Sequence, residues 1–232
     1  MNTIMDWLSD PVFTSSTVNS SLWINTWITI YMVLWTMALT ALLGVPLGVL
    51  LFETSRSKSP AARRAYTVIA SVVNILRSFP FIILIIALIP VATFVVKRST
   101  GPDAAIVSLT VASVPFLARL VETALREIPS GKIEAVEMMG ATRFQIIRQV
   151  LLAEAMPGLI SAVTTTTIGV IGYTAMAGTV GAGGLGDLAF RKGYQSYNNV
   201  VMVATVLVLV VIVVAVQLLG DFLAKRADHR AR

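Results

Sequence analysis

KIEAVEMMGATRFQIIRQVLLAEAMPG, residues 132–158, is a polar, charged stretch set between two long apolar runs. Pro129-Ser130-Gly131 just ahead of it stops the preceding run. The spacing predicts a short helix from Lys132 to Met139, ended by Gly140, since glycine takes a left-handed cap without steric cost. Thr142 with Gln145 three residues on predicts a capping box. That box opens a second helix running to Ala155, before Pro157-Gly158 turns the chain into the next run. Ile133 and Val136 share one face of the first helix. Such an amphipathic segment either rests on lipid headgroups or docks on a partner, and the residues alone leave both readings open.

The flanking runs settle the class. The chain has 232 residues, 56% hydrophobic and 13% charged, against about 25% charged in a soluble domain. Mean hydropathy is +0.82. Residues 11–52, 155–186 and 193–220 contain no Asp, Glu, Lys or Arg, and a span needs roughly 20 apolar residues to cross a ~30 Å hydrocarbon core. The apolar and polar residues of 200–219 do not alternate as a barrel strand requires. The expectation is an all-α membrane protein with five spans, at about 22–52, 66–96, 104–126, 158–178 and 199–222. Residues 1–21 form a segment before the first span, 127–157 the polar loop, and 223–232 a basic tail. Spans 1 and 2 are too long to stand upright, since 31 residues extend roughly 47 Å. Tilt absorbs part of the excess, and a break is expected in span 2 at Arg77-Ser78-Phe79-Pro80, because proline removes a helical hydrogen bond and restricts its predecessor.

Charge predicts the orientation. Twelve basic residues, Arg126, Lys132, Arg143 and Arg148 among them, fall on one side, and four (Lys97, Arg98, Arg191, Lys192) on the other. The positive-inside rule then puts the N-terminus outside and the C-terminus, with the 127–157 loop, in the cytoplasm. The same clustering at span ends argues against nucleic acid as the partner of this basic chain. No basic n-region of a cleavable signal is evident, since Arg56 is the first Lys or Arg. Without cysteine there is no disulfide framework.

Other constellations are weighed against simpler roles. Gly181-x-Gly183-x-x-Gly186 is a literal dinucleotide fingerprint, but it follows a membrane span rather than a strand, so turns and close helix approach explain it better. Ser130-Gly131-Lys132 fails as a phosphate loop, since Ile133 stands where Ser or Thr is required. Arg77 and Arg119 lie inside spans, where charge is costly. Arg119 has Glu122 three residues on, which favours structural pairing. Arg77, beside Pro80, fits a pathway role or a structural one equally. Thr166 within Thr164–Thr167, and Met176, are candidates for a pathway or gate, although membrane threonines more often pack helix to helix. His229, the single histidine, sits in the basic tail.

Glu134-Ala135, Gly140-Ala141 and the amphipathic run after them resemble the cytoplasmic EAA loop of ATP-binding-cassette importer permeases. Val136 and Ala153 depart from that pattern by small apolar changes. Leu76-Arg77-Ser78-Phe79-Pro80-Phe81, Pro115-Phe116-Leu117-Ala118-Arg119, Tyr173–Gly178 and Gly184–Ala189, with Gly193-Tyr194-Gln195, look like the methionine-type members, and the similarity covers roughly residues 20–222. The resemblance implies the type I ABC importer permease fold with cytoplasmic coupling helices, in a bacterial inner membrane. It implies Ile133, Glu134, Ala135, Val136, Met139, Gly140, Ala141 and Gln145 as the ATPase-coupling loop. Pro80, Arg119, Glu122, Pro157 and Gly158 take structural roles. A second copy of the chain, a cytoplasmic ABC ATPase dimer and an extracytoplasmic methionine-binding protein are the implied partners, besides membrane lipid. ATP and magnesium would sit on the ATPase, with no cofactor or metal on this chain. The function implied is a methionine importer permease working by alternating access, without catalysis of its own; a different amino acid or small molecule is the alternative cargo.

Two other classes fare worse. An intramembrane protease needs a serine–histidine pair or an HExxH-like set, and no span contains histidine. An ion-coupled carrier would place ionisable groups near mid-membrane and often shows internal repeats. Spans 1, 4 and 5 as drawn above carry almost no charge, and no repeat is visible.

Overall fold

A computed structural model describes residues 16–228, with side chains from residue 21 onward; most of the 1–21 segment and the tail end with His229 lie outside it. The described residues are helical without strands. In chain order the helices are α1 Ser16–Arg56, α2 Pro60–Ser78, α3 Phe81–Ala87, α4 Ile89–Val96, α5 Pro102–Arg126 and α6 Ser130–Met138. Then come α7 Arg143–Gln145, a π-helical stretch Ile146–Leu151, α8 Leu152–Glu154, α9 Met156–Gly178, α10 Gly184–Leu188, a π-helical turn Ala189–Gln195 and α11 Asn199–Ala227. Four of these are long and apolar enough to cross a membrane, and five spans result if the broken pair α2–α3 counts as one.

The expected span 2 is the one most altered. Its helix begins at Pro60, and the chain breaks at Phe79-Pro80, where Phe79 is extended at φ −73°, ψ 132°, the conformation that a following proline imposes. A second break, at Leu88, separates α3 from α4, which starts on Ile89-Pro90. The first helix is also longer than expected, 41 residues, and runs through Pro46 without interruption. α5 likewise carries Pro115 inside it. Prolines are tolerated in membrane helices where neighbours and local adjustment satisfy the freed carbonyls.

The described residues form two compact units, residues up to 37 with 81–110 and 169–215, and residues 38–80 with 111–168 and from 216 on. In the first, the ring of Phe81 stacks on Tyr173 at 4.3 Å, which fixes α3 against α9. The buried hydroxyl of Thr29 accepts a 2.9 Å hydrogen bond from the N–H of Leu185. A Cβ on Gly178 would collide with the backbone of Asp187, and one on Gly186 with the backbone of Ala175. The glycine cluster therefore lets the end of α9 and the start of α10 touch main chain to main chain, and no strand precedes it.

The second unit is built around Phe52, Leu117, Val121, Leu125, Ile128, Ile133, Ile146, Leu151, Ala155 and Ala162. A smaller cluster of Leu51, Ala70, Val73 and Ala118 ties α2 to α1 and α5. Residues of the polar loop, Ile133, Ile146 and Leu151, are part of this core.

Candidate coupling site

The loop differs from the two plain helices expected. Pro129 does not merely stop α5, which ends at Arg126; it caps α6, and Ser130-Gly131 form that helix's first turn. Ile133 is buried and Val136 packs on the same core, so the shared face predicted for them is the seat of the helix. At its end, the N–H of Gly140 donates to the carbonyl of Glu137 at 3.0 Å and the N–H of Ala141 to that of Val136 at 3.3 Å. Gly140 has φ +82°. This is a complete Schellman cap, with Ala141 and Val136 both packed on the core beneath it.

Thr142 and Gln145 form the expected capping box: the N–H of Thr142 donates to Gln145 Oε1 at 2.8 Å, and the N–H of Gln145 to Thr142 Oγ1 at 3.4 Å. The helix they open is not a uniform α-helix to Ala155. Over Ile146–Leu151 it widens to π geometry, whose i→i+5 bonding brings residues five apart toward one face. Ile146 and Leu151 both lie in the core. Pro157 and Gly158 lie within the first turn of α9 rather than in a turn before it, with Gly158 against the Cβ of Ala124.

What the anchoring leaves outward includes three large apolar side chains among charged ones. Met138 is 90% exposed, Met139 79% and Phe144 69%. Glu134, Ala135 and Gln145 are exposed beside them. Two ion pairs brace this tip: Lys132 Nζ to Glu154 at 2.7 Å, and Arg143 to Glu137 at 3.1 Å, with Glu53 at 3.6 Å from the same nitrogen. A rigid, charge-braced tip crowned by exposed methionines and a phenylalanine is a surface suited to insertion into an apolar cleft.

Just before the loop, Glu122 is 1% exposed and receives more partners than the one expected. Arg119 Nη1 donates to it at 2.6 Å and Arg126 Nη2 at 2.6 Å. The Tyr66 hydroxyl adds a third donor at 3.2 Å. Tyr66 and Arg126 are partners of Glu122 that the sequence reading missed. Arg126, four residues on, was legible as a helix pair; Tyr66, on α2, carried no local signal.

The pathway candidates separate. Arg77 is exposed, its guanidinium 5.9 Å from the centre of the Phe116 ring. Met176 is half exposed. Thr166 is buried inside its own unit and donates to the carbonyl of Ala162 at 2.7 Å, so in this conformation its hydroxyl lines no open path. Among the described residues no three His, Cys, Asp or Glu side chains cluster as a metal site.

Residues 44–232 match the family model described as "Binding-protein-dependent transport system inner membrane component". The chain belongs to this family. The permease is 45% identical over 188 residues to the probable D-methionine transport system permease protein MetI of Vibrio cholerae, covering 81% of this chain and 84% of that one. It is 51% identical over 135 residues to the D-methionine transport system permease protein MetI of Escherichia coli K12, covering 58% of this chain and 62% of that one. A solved structure of the inward-facing MetNI methionine ABC transporter superposes with a TM-score of 0.90 at 44% identity, over 93% of this chain and all of that one. An amino acid ABC transporter crystallised with histidines shares the fold alone, at a TM-score of 0.66 and 17% identity. The permease thus has the type I ABC importer fold, and it is an inner-membrane transport component rather than an enzyme.

Proposed function

We propose that the permease is the translocating subunit of an ATP-driven methionine importer, working as a pair of copies above two ATPase subunits, with its N-terminus outside and its C-terminus in the cytoplasm. The observation that carries this reading is the exposed Met138–Met139–Phe144 tip, held on the core of its unit by Ile133, Ile146 and Leu151. A tip fixed in this way transmits displacement instead of absorbing it, because packed interiors are poorly compressible. Closure of the ATPase pair on ATP would shift α6 and the helices that flank the loop, α5 and α9, and favour the outward-open conformer. Hydrolysis would release it, a population shift between two states. ATP and magnesium belong to the ATPase in this scheme. Methionine as cargo is supported by the names of the Vibrio cholerae and Escherichia coli relatives.

The test is reconstitution with the ATPase and the methionine-binding protein in liposomes. Uptake of labelled methionine that needs all three proteins and ATP, with two permease copies per complex by mass, is the expected result. Uptake by the permease alone, driven by an ion gradient, would refute it.

A further inference from the structure

We propose that the exposed turn at residues 191–197 is the docking surface for an acidic face of the soluble substrate-carrying protein, a proposal that rests on the importer reading and on the N-outside orientation above.

The turn is unusual in its backbone. The π-helical residues Ala189–Gln195 follow α10 directly, and π turns of this kind recur at functional sites. Tyr197 has φ +53°, a conformation unfavourable for a side chain of that size. Asparagine or glycine would hold the turn with less strain. Yet the position carries a tyrosine whose surface is 89% exposed, with Tyr194 beside it at 66%.

The turn is also fixed. The N–H of Tyr197 donates to the carbonyl of Tyr194 at 3.2 Å, and the Ser196 hydroxyl to the carbonyl of Arg191 at 3.0 Å. Asn198 Oδ1 accepts from the N–H of Val201 at 3.1 Å and so caps α11. The rings of Phe190 and Tyr194 stack at 5.9 Å. Rings presented on an ordered backbone lose little freedom when covered.

Charge indicates what covers them. The connecting segments 97–103 and 179–198 of this unit hold Lys97, Arg98, Arg191 and Lys192 against Asp103 and Asp187, a net of +2 (4 − 2). Arg191 is engaged by Asp187, and Arg98 lies 3.9 Å from Asp103. Lys192 is exposed and pairs with no carboxylate among the described residues. Tyrosine with arginine is the composition of binding hot spots between proteins. Tyrosine and lysine also sit at lipid headgroups, but a headgroup contact demands no strained, hydrogen-bonded turn. A carrier with carboxylates around an aromatic-accepting recess fits the surface.

The experiment uses the whole transporter, permease with ATPase, in nanodiscs of zwitterionic phosphatidylcholine and in nanodiscs with added anionic phosphatidylglycerol. The probe is the methionine-loaded binding protein of the same organism. Tyr197→Asn removes the ring and keeps the left-handed backbone, so it tests the contact and not the fold; Tyr194→Ala and Lys192→Gln are its companions. Each tyrosine variant is expected to weaken binding about tenfold or more in both lipids, with basal ATP hydrolysis unchanged. Lys192→Gln is expected to flatten the loss of affinity on raising salt. Binding equal to wild type in every variant overturns the proposal. A defect seen only in anionic lipid overturns it in favour of a headgroup anchor, and dissociation of the permease pair overturns it in favour of a contact between copies. A wild-type complex that binds no carrier at all overturns the importer reading itself.

Discussion

The Tyr66 hydroxyl donates to the buried carboxylate of Glu122 at 3.2 Å, joining α2 to α5 across 56 positions of sequence. Arg126 Nη2 reaches both groups, at 3.1 Å to the hydroxyl and 2.6 Å to the carboxylate. One carboxylate thus holds two helices and two arginines immediately before the 127–157 loop begins.

Removing Tyr66 and removing Glu122 have different consequences. Tyr66→Phe deletes one hydrogen bond and should cost about 1 kcal/mol. Glu122→Gln removes the counter-charge of two guanidinium groups that are themselves partly exposed, so water screens part of the loss, and it should cost about 2 kcal/mol. Thermal unfolding of the purified permease in detergent should rank the two variants in that order, and equal midpoints would contradict the hub.

The apolar tip gives the opposite pattern. Met138 and Phe144 are mostly exposed, so Met138→Ala with Phe144→Ala should leave the unfolding midpoint of the isolated permease within about 0.5 kcal/mol of wild type, as for ordinary surface changes. The ATPase should nevertheless fail to copurify. Retention of the ATPase by this double variant would place docking elsewhere.

Orientation is testable because the chain has no cysteine. Thr100→Cys should react with a membrane-impermeant thiol reagent from outside intact cells, and Asp228→Cys only after the membrane is opened. The reverse pattern would invert the topology.

How far the sequence could be read depended on the range of the interactions. Capping is local, so Gly140 and the Thr142–Gln145 box were legible, as was the break before Pro80, where one residue dictates the conformation of its neighbour. Spans 1, 4 and 5 followed from long uncharged runs, and spans 2 and 3 from apolar runs that carry charges inside them. The π stretch at Ile146–Leu151 was hidden because periodicity arguments assume 3.6 residues per turn. Tyr66 was hidden because its partner lies on another helix. Thr166 was ambiguous for a related reason: a threonine hydroxyl in a helix can satisfy itself on the carbonyl four residues back, and composition cannot tell that from a hydroxyl facing a pathway. The second break, at Leu88, had no proline before it; Pro90 follows in the first turn of α4, where proline is compatible with a helix start.

The loop built on Gly140 is proposed to couple ATP hydrolysis to transport. No atom lies within 4 Å of a Cβ placed on Gly140, so substitution there acts through the backbone and not through collision. At φ +82° isoleucine should cost on the order of 1–3 kcal/mol, whereas asparagine tolerates the left-handed region. The deciding measurement is ATP-driven methionine uptake, with ATP hydrolysis read in the same liposomes, for wild type, Gly140→Asn and Gly140→Ile at equal permease content. Uptake near wild type is expected for Gly140→Asn. For Gly140→Ile uptake should be lost, with hydrolysis either absent or no longer stimulated by the loaded binding protein. Full uptake by Gly140→Ile, with stimulated hydrolysis intact, would contradict that coupling role.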